Sequence, residues 1–120
     1  MFEELIRNGK QITSAFPTGK STLDFRGTIS KGVPISFDCK KSQNEKGLPL
    51  SHIPSHQIEY MENAIKVGEI SFILTYIIPL NRRFLIKGEV VAEKYHLWKQ
   101  NYKKRGFAVI PISEMIEITS

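Results

Sequence analysis

The sequence predicts a mixed α/β fold in which helices pack against one sheet. One observation behind this prediction is the order of elements along the chain, which is helix, strand, strand, helix, strand, strand, helix. Another is Ile70–Ile78 (ISFILTYII), a nearly continuous apolar run typical of a strand buried on both faces at the centre of a sheet. The 120 residues are the length of one domain, so residues 1–120 are predicted to form a single unit.

The first half of the chain supplies one helix and two paired strands. Phe2–Asn8 places its apolar residues on one helical face, and a short edge strand is predicted at Gln11–Ala15 within a polar loop. Leu23–Ile29 and Val33–Lys40 are strand-like, and the three residues between them suit a hairpin turn.

The second half alternates helices with strands, beginning with apolar residues that recur at helical spacing after Pro54. The predicted elements are a loop at Lys41–Leu50, a helix at Pro54–Lys66, strands at Ile70–Ile78 and Arg83–Lys87, a helix at Glu89–Lys104, and extended segments at Phe107–Ile112 and Met115–Ile118.

Composition narrows the functional classes. The chain has 17 Lys and Arg against 12 Asp and Glu, a net charge of +5, which suggests a polyanionic partner such as nucleic acid, with a role in solubility alone as the alternative. Its single cysteine excludes an internal disulfide and any zinc site built on cysteine pairs. The longest apolar run is too short to span a membrane, and MFEELIRNGK lacks the features of a signal peptide, so an intracellular protein is expected.

Asp24, Asp38 and Lys40 are the residues whose placement suggests chemistry. Asp38 and Lys40 are two apart and project from the same face of a strand. In a hairpin centred on Lys31, Asp24 lies directly across from Asp38, and opposed carboxylates repel unless a positive charge lies between them. The alternative is a surface hairpin with solvated acids, because such triplets are common by accident.

A divalent cation would satisfy the paired carboxylates. Oxygen ligands suit Mg²⁺, which takes few protein carboxylates and can share a phosphodiester. Lys40 would then orient or deprotonate the attacking water, or stabilise charge on the phosphorus oxygens.

Several blocks of the sequence occur in the order and with the spacing of a known family. They are STLDFRG at Ser21–Gly27, ISFDCK at Ile35–Lys40, LPL at Leu48–Leu50 and HQIEYM at His56–Met61. They resemble the RecU family of Holliday junction resolvases, within the PD-(D/E)xK nuclease superfamily. The resemblance is good over residues 19–78 and looser elsewhere, and it implies a restriction-endonuclease-like core with a mixed central sheet flanked by helices.

The resemblance also implies roles for individual residues. Asp24 and Asp38 match metal ligands, and the carbonyl of Cys39 matches a further ligand. Lys40 matches the catalytic lysine, and Gln57 matches a glutamine beside the active site. Cys39 faces the other side of its strand from Asp38, where a small buried side chain is expected.

The N-terminal segment matches the family less completely. Glu3 is the first choice for a further metal ligand from the opening helix, and Glu4 is the alternative. Asp38 stands where the family usually has Glu. Only residues 4–23 separate Glu3 from Asp24, whereas RecU proteins have a longer stretch there with a stalk that enters the junction. This departure bears on selectivity for junctions, not on the nuclease chemistry.

The resemblance implies a homodimer that resolves four-way DNA junctions with Mg²⁺, for which Mn²⁺ would substitute. It also implies a cytoplasmic location in a bacterial cell, with a compact phage-encoded relative as a further option. The alternatives are a nuclease acting on other branched or nicked DNA and a non-catalytic DNA-binding module. Candidate phosphate contacts, each of which could instead be a solvated charge, are Lys20, Lys41, Arg82, Arg83, Lys103, Lys104 and Arg105.

Overall fold

The computed structural model describes residues 12–17 (backbone only), 23, 25–29, 32–102, 104 and 106–118. Two helices and eight strands lie in this part of the chain. The helices are α1 (Ser55–Lys66) and α2 (Gly88–Gln100). The strands are β1 (Ile12–Pro17), β2 (Phe25–Ile29), β3 (Val33–Ser42), β4 (Gly47–Pro49), β5 (Ile70–Ile77), β6 (Arg82–Lys87), β7 (Val109–Pro111) and β8 (Ile116–Glu117).

Six of these strands form one mixed sheet in the order β1-β2-β3-β5-β6-β8, and β4 pairs with β7 in a separate ribbon. Strands β1, β2 and β3 are antiparallel neighbours. Strand β3 then pairs in parallel with β5, with α1 in the connection between them. Strands β6 and β8 continue the sheet in antiparallel fashion. The predicted mixed sheet with flanking helices is confirmed, and the apolar run predicted to be central is β5.

The two faces of this sheet carry different side chains. On one face, Ile73 of β5 and Ile86 of β6 are fully buried in a cluster that also contains Met61 of α1 and Val91 of α2. On the other face, the rings of Phe25, Phe37 and Phe72 stack across β2, β3 and β5, with centroids 5.0 Å apart in each pair. Alternation along β3, β5 and β6 thus assigns each of their residues to a helix-covered or an aromatic face.

Several predicted elements match their observed bounds closely. The hairpin register is the predicted one, because Phe25 pairs with Phe37 and Ile29 with Val33. Helix α1 follows Pro54 as expected and ends at Lys66. The predicted edge strand at Gln11–Ala15 corresponds to β1. The predicted helix at Phe2–Asn8 lies outside the described residues.

Two predicted boundaries are wrong. The predicted loop at Lys41–Leu50 contains the end of β3 and all of β4, because Ser42 Oγ donates to the carbonyl of Gly47 (2.6 Å) and joins the two strands. The predicted helix at Glu89–Lys104 ends at Gln100. Its end is fixed by Asn101, whose side-chain Nδ2 donates to the carbonyl of Leu97 at 2.9 Å. Within the described residues, no helix is long and apolar enough to cross a membrane.

Candidate active site

Asp38, Lys40 and Gln57 converge on the helix-covered face of the sheet. Lys40 Nζ lies 2.6 Å from Asp38 Oδ2, and Gln57 Nε2 donates to the same oxygen at 3.0 Å. Asp38 is 1% exposed and Gln57 is 7% exposed, whereas Lys40 keeps part of its side chain in solvent. A buried carboxylate is therefore held by one charged and one neutral donor at the edge of the core.

Local structure explains this convergence. Asp38 and Lys40 lie two apart on β3, so both project toward the helices. Helix α1 begins at Ser55, and the backbone N–H of Gln57 donates to the carbonyl of Pro54 at 3.0 Å. Gln57 thus lies in the first turn of α1, whose side chains pack on the strand below.

The surroundings of Asp38 make the donors from Lys40 and Gln57 energetically important. Its neighbours in the cross-strand row are Ile73 and Ile86, both fully buried. Removing a carboxylate from water costs several kcal/mol unless charged and hydrogen-bonded partners replace the lost solvent. The short contact with Lys40 is a charge-assisted hydrogen bond, which is stronger than a neutral one.

The oxygen atoms of Asp38 and Gln57 are suited to form part of a metal site. Gln57 Oε1 is buried and has no hydrogen-bond partner in the described part of the structure, so it can accept a water proton or contact a cation. The described residues contain no group of three or more His, Cys, Asp or Glu side chains that could hold a metal ion. Asp24 and Glu3, the other predicted carboxylates, lie outside the described residues. A hydrated Mg²⁺ needs few protein carboxylates, so Asp38 is compatible with such an ion.

A second polar cluster lies beside this site, and sequence reasoning missed it. Ser36 Oγ donates to Glu69 Oε2 at 2.5 Å and lies 3.1 Å from Ser71 Oγ. Arg26 Nη2 lies 3.6 Å from Glu69 Oε1, and its guanidinium is 5.9 Å from the centroid of the Tyr60 ring. Ser36 is two residues before Asp38 on the same face of β3. The only signal in the sequence is a polar residue recurring on alternate positions of an apolar strand.

Comparison with known proteins places the chain in a family. The family model for Recombination protein U matches residues 3–118. The chain belongs to the RecU family. The resemblance noted in the sequence is thereby confirmed.

Curated relatives are named Holliday junction resolvase RecU. The protein of Pediococcus pentosaceus is 34% identical over 107 residues, covering 89% of this chain and 51% of the relative. That of Lactococcus lactis is 32% identical over 111 residues, covering 92% and 49%. That of Streptococcus sanguinis is 31% identical over 93 residues, covering 78% and 46%. The chain spans about half the length of these curated RecU relatives.

The basic residues predicted as DNA contacts differ in their surroundings in this RecU-family chain. Lys41 and Arg83 line one groove together, and Lys104 is exposed after α2. Arg82 makes a bidentate pair with Glu117, in which Nε and Nη2 donate at 2.9 and 2.6 Å. This hydrogen bond raises the pKa of Arg82 and lowers the pKa of Glu117, while desolvation opposes both shifts. The remaining predicted contacts, which lie outside the described residues, are Lys20, Lys103 and Arg105.

Cys39 departs from its sequence-based prediction. It was expected to be buried, but it is exposed. It does lie on the opposite face from Asp38, as strand alternation requires. On that face, it lies beyond the stacked rings of Phe37 and Phe72 and lines the groove that contains Lys41 and Arg83. The aromatic cluster covers the start of β3 on that face and leaves its end open to solvent.

Proposed function

We propose that this chain is a Mg²⁺-dependent, structure-selective endonuclease that resolves four-way DNA junctions by phosphodiester hydrolysis in recombination and repair. The observation that carries the proposal is the cluster of Asp38, Lys40 and Gln57 in a chain of the RecU family. The bacterial relatives named as Holliday junction resolvases support the same substrate, and a cytoplasmic location is part of the proposal.

Each residue of the cluster has a role in this proposal. Asp38 would hold the cation, together with the side chains of Asp24 and Glu3 and the backbone carbonyl of Cys39. The bound ion would lower the pKa of a coordinated water and stabilise charge on the phosphorus oxygens. Lys40 keeps the Asp38 carboxylate oriented and is close enough to donate to a phosphate oxygen or to the attacking water.

Gln57 and Asp24 complete the proposed arrangement. Gln57 fixes Asp38 through its Nε2 and leaves its carbonyl oxygen available to a water or cation. The proposal for Asp24 is supported by the observed pairing of Phe25 with Phe37, because this is the register on which the prediction of Asp24 across from Asp38 depends.

A homodimer is part of the proposal. Resolution of a four-way junction requires two symmetric incisions, and two identical active sites related by a two-fold axis provide them. The cluster of Asp38, Lys40 and Gln57 in the described part of the chain supplies one of these two sites.

The cleavage assay uses a synthetic four-way junction with Mg²⁺, and with Mn²⁺ as a substitute. The wild-type chain should introduce paired nicks, whereas Asp38→Asn and Lys40→Ala should abolish nicking and retain junction binding. Glu93→Gln and Lys66→Ala change exposed residues of the two helices and serve as controls that should cut normally. Normal cutting by Asp38→Asn or Lys40→Ala would overturn the proposed roles.

A second candidate function is cleavage of other branched, flapped or nicked DNA. It is favoured by the short stretch between Glu3 and Asp24, residues 4–23, where RecU proteins have a longer segment. Competition between labelled junction, flap and linear duplex separates the two functions. A non-catalytic DNA-binding module would instead show no Mg²⁺ or Mn²⁺ binding by calorimetry and salt-sensitive DNA binding.

A further inference from the structure

A row of three side chains crosses the sheet on the face opposite Asp38. Lys41 of β3 pairs with Tyr76 of β5, and Tyr76 pairs with Arg83 of β6. Directly paired residues on neighbouring strands project to the same face, so these three side chains stand side by side. Lys41 and Arg83 are separated by two strand spacings, about 10 Å.

This row borders a groove of about 300 Å³. Its other side chains include Leu74, Ile118 and the exposed Cys39, and no Asp or Glu is among the described residues that line it. Neither Lys41 nor Arg83 forms an ion pair with another described residue, in contrast to Arg82, which Glu117 engages. The groove therefore combines an apolar floor with uncompensated positive charge.

Tyr76 is held in a fixed orientation at the centre of the row. Its hydroxyl donates to Asn81 Oδ1 at 2.7 Å, and the guanidinium of Arg83 lies 4.8 Å from the centroid of its ring. The ring thus keeps Arg83 over the groove, where its remaining N–H groups can meet an anion.

We propose that this groove binds an unpaired segment of single-stranded DNA, with one base against Tyr76, Leu74 and Ile118 and the flanking phosphates on Lys41 and Arg83. Cationic side chains alternating with an aromatic platform are the pattern by which proteins bind single strands without sequence preference. A volume of about 300 Å³ is large enough to accommodate one base. The inference rests on the proposed nuclease function, in which branched DNA supplies such a strand.

Cys39 provides a direct test because it is the only cysteine of the chain and lines the groove. The wild-type protein is treated with a maleimide in EDTA, with increasing concentrations of a short oligothymidylate, and alkylation is followed by mass spectrometry. Occupancy of the groove should slow alkylation severalfold. A duplex of equal length should protect Cys39 less than the single strand.

Variants of the groove test whether the oligothymidylate that protects Cys39 binds there. Tyr76→Ala should raise the oligothymidylate concentration that gives half-maximal protection of Cys39 about tenfold. Tyr76→Phe should retain protection. Arg83→Ala, which changes an exposed side chain, should also weaken protection, and it should reduce the slope of log affinity against log salt by about 1. Lys66→Ala is the matched control for loss of one positive charge and should leave protection unchanged.

The results separate this inference from the proposed function. Absence of protection, equal protection by duplex, or protection insensitive to both Tyr76→Ala and Arg83→Ala would overturn the inference. Because the assay contains EDTA, its outcome does not depend on junction cleavage. Failure of the cleavage assay would overturn the nuclease proposal whether or not oligothymidylate protects Cys39.

Discussion

Asp38 is a carboxylate removed from water, and one of its oxygens receives both the Lys40 ammonium and the Gln57 amide. The pairing has a structural cost, since burial of ions is compensated only when geometry and additional hydrogen bonds are good. Such an arrangement fixes the direction of the carboxylate in advance. A group held in this way binds a cation or reacting water without reorganising.

The contribution of Gln57 can be measured separately from that of Asp38. Gln57→Ala removes the hydrogen bond to Asp38 Oδ2 and leaves the Lys40 contact in place. We expect the single-turnover rate of junction cleavage to fall about 10- to 100-fold, as is typical for residues that orient a metal ligand, with junction affinity unchanged. Asn63→Ala, on an exposed position of the same helix, is the control. An unchanged rate in Gln57→Ala would remove this residue from the site.

Glu117 offers a test of the charge pair on the exposed edge of the sheet. The hydrogen bond from Arg82 lowers the pKa of Glu117, so the pair stabilises the fold above the unfolded-state pKa, and this contribution is lost as pH falls through the folded-state pKa. In NMR titrations that follow its side-chain carboxyl signal, Glu117 should show a higher pKa in Arg82→Gln than in the wild-type protein. High salt should reduce this difference in the pKa of Glu117, because both Arg82 and Glu117 are exposed. Equal titration curves in the two proteins would contradict the pair.

Residue-scale features were predictable to different degrees. The shared face of Asp38 and Lys40 follows from strand alternation, and the structure confirms it. Gln57 came from the resemblance, because nothing in local spacing brings α1 onto β3. Cys39 was predicted to be buried because it lies in an apolar strand, but its exposure depends on where the aromatic cluster ends, and this is a tertiary property.

At the scale of elements, the β4–β7 ribbon depends on close approach of two backbones. A Cβ added at Gly47 would lie 1.8 Å from the carbonyl oxygen of Ile110, far inside van der Waals contact. Gly47 also pairs with Pro111 and receives a hydrogen bond from Ser42, so it links the ribbon to the end of β3. No side chain can be accommodated there unless the ribbon separates.

Gly47→Ala should therefore destabilise the protein by about 3 kcal/mol, near the upper end of ordinary single substitutions. Gly68→Ala is the matched comparison, because Gly68 also has a positive φ of 88° but no atom within 4 Å of an added Cβ. It should cost only about 1 kcal/mol, the penalty of the left-handed conformation. Urea unfolding measures both values. Equal losses would mean that the backbone contact at Ile110 is unimportant.

The elements that local sequence determines were predicted well. Helix α1 has apolar spacing and a proline before its first turn, and β5 is almost entirely apolar. Strand β4 was missed because its residues, Gly47–Pro49, have weak strand propensity. They pair with β7, whose residues lie more than 55 positions further along the chain. Short strands that exist only through a distant partner leave little pattern in their own sequence.

At the scale of the molecule, the sheet separates two sets of groups. The helix-covered face carries the proposed catalytic cluster, and the opposite face carries the groove with Lys41 and Arg83. The composition predicted a polyanionic partner from a net charge of +5, but it did not indicate how that charge is distributed. The order of strands likewise could not be derived, since it depends on pairings between distant segments.

Binding to a four-way junction should depend strongly on ionic strength. Each phosphate contact contributes a slope of about 0.9 to the plot of log affinity against log salt. With four contacts, a fourfold rise in salt weakens binding roughly a hundredfold. The four described candidates are Lys41, Arg82, Arg83 and Lys104. Fluorescence anisotropy over a salt series measures the slope, and a slope near zero would contradict binding through phosphates.

The parallel pairing of β3 with β5 also determines when the sheet can be completed during synthesis of the protein. Antiparallel β2 can pair with β3 early, but the second neighbour of β3 exists only after the ribosome has translated Ile70–Ile77. Until then the nascent chain carries Asp38 on a strand with one open edge, which is a surface prone to association with other chains. Slow translation between α1 and β5 would therefore lengthen the period in which aggregation competes with completion of the sheet.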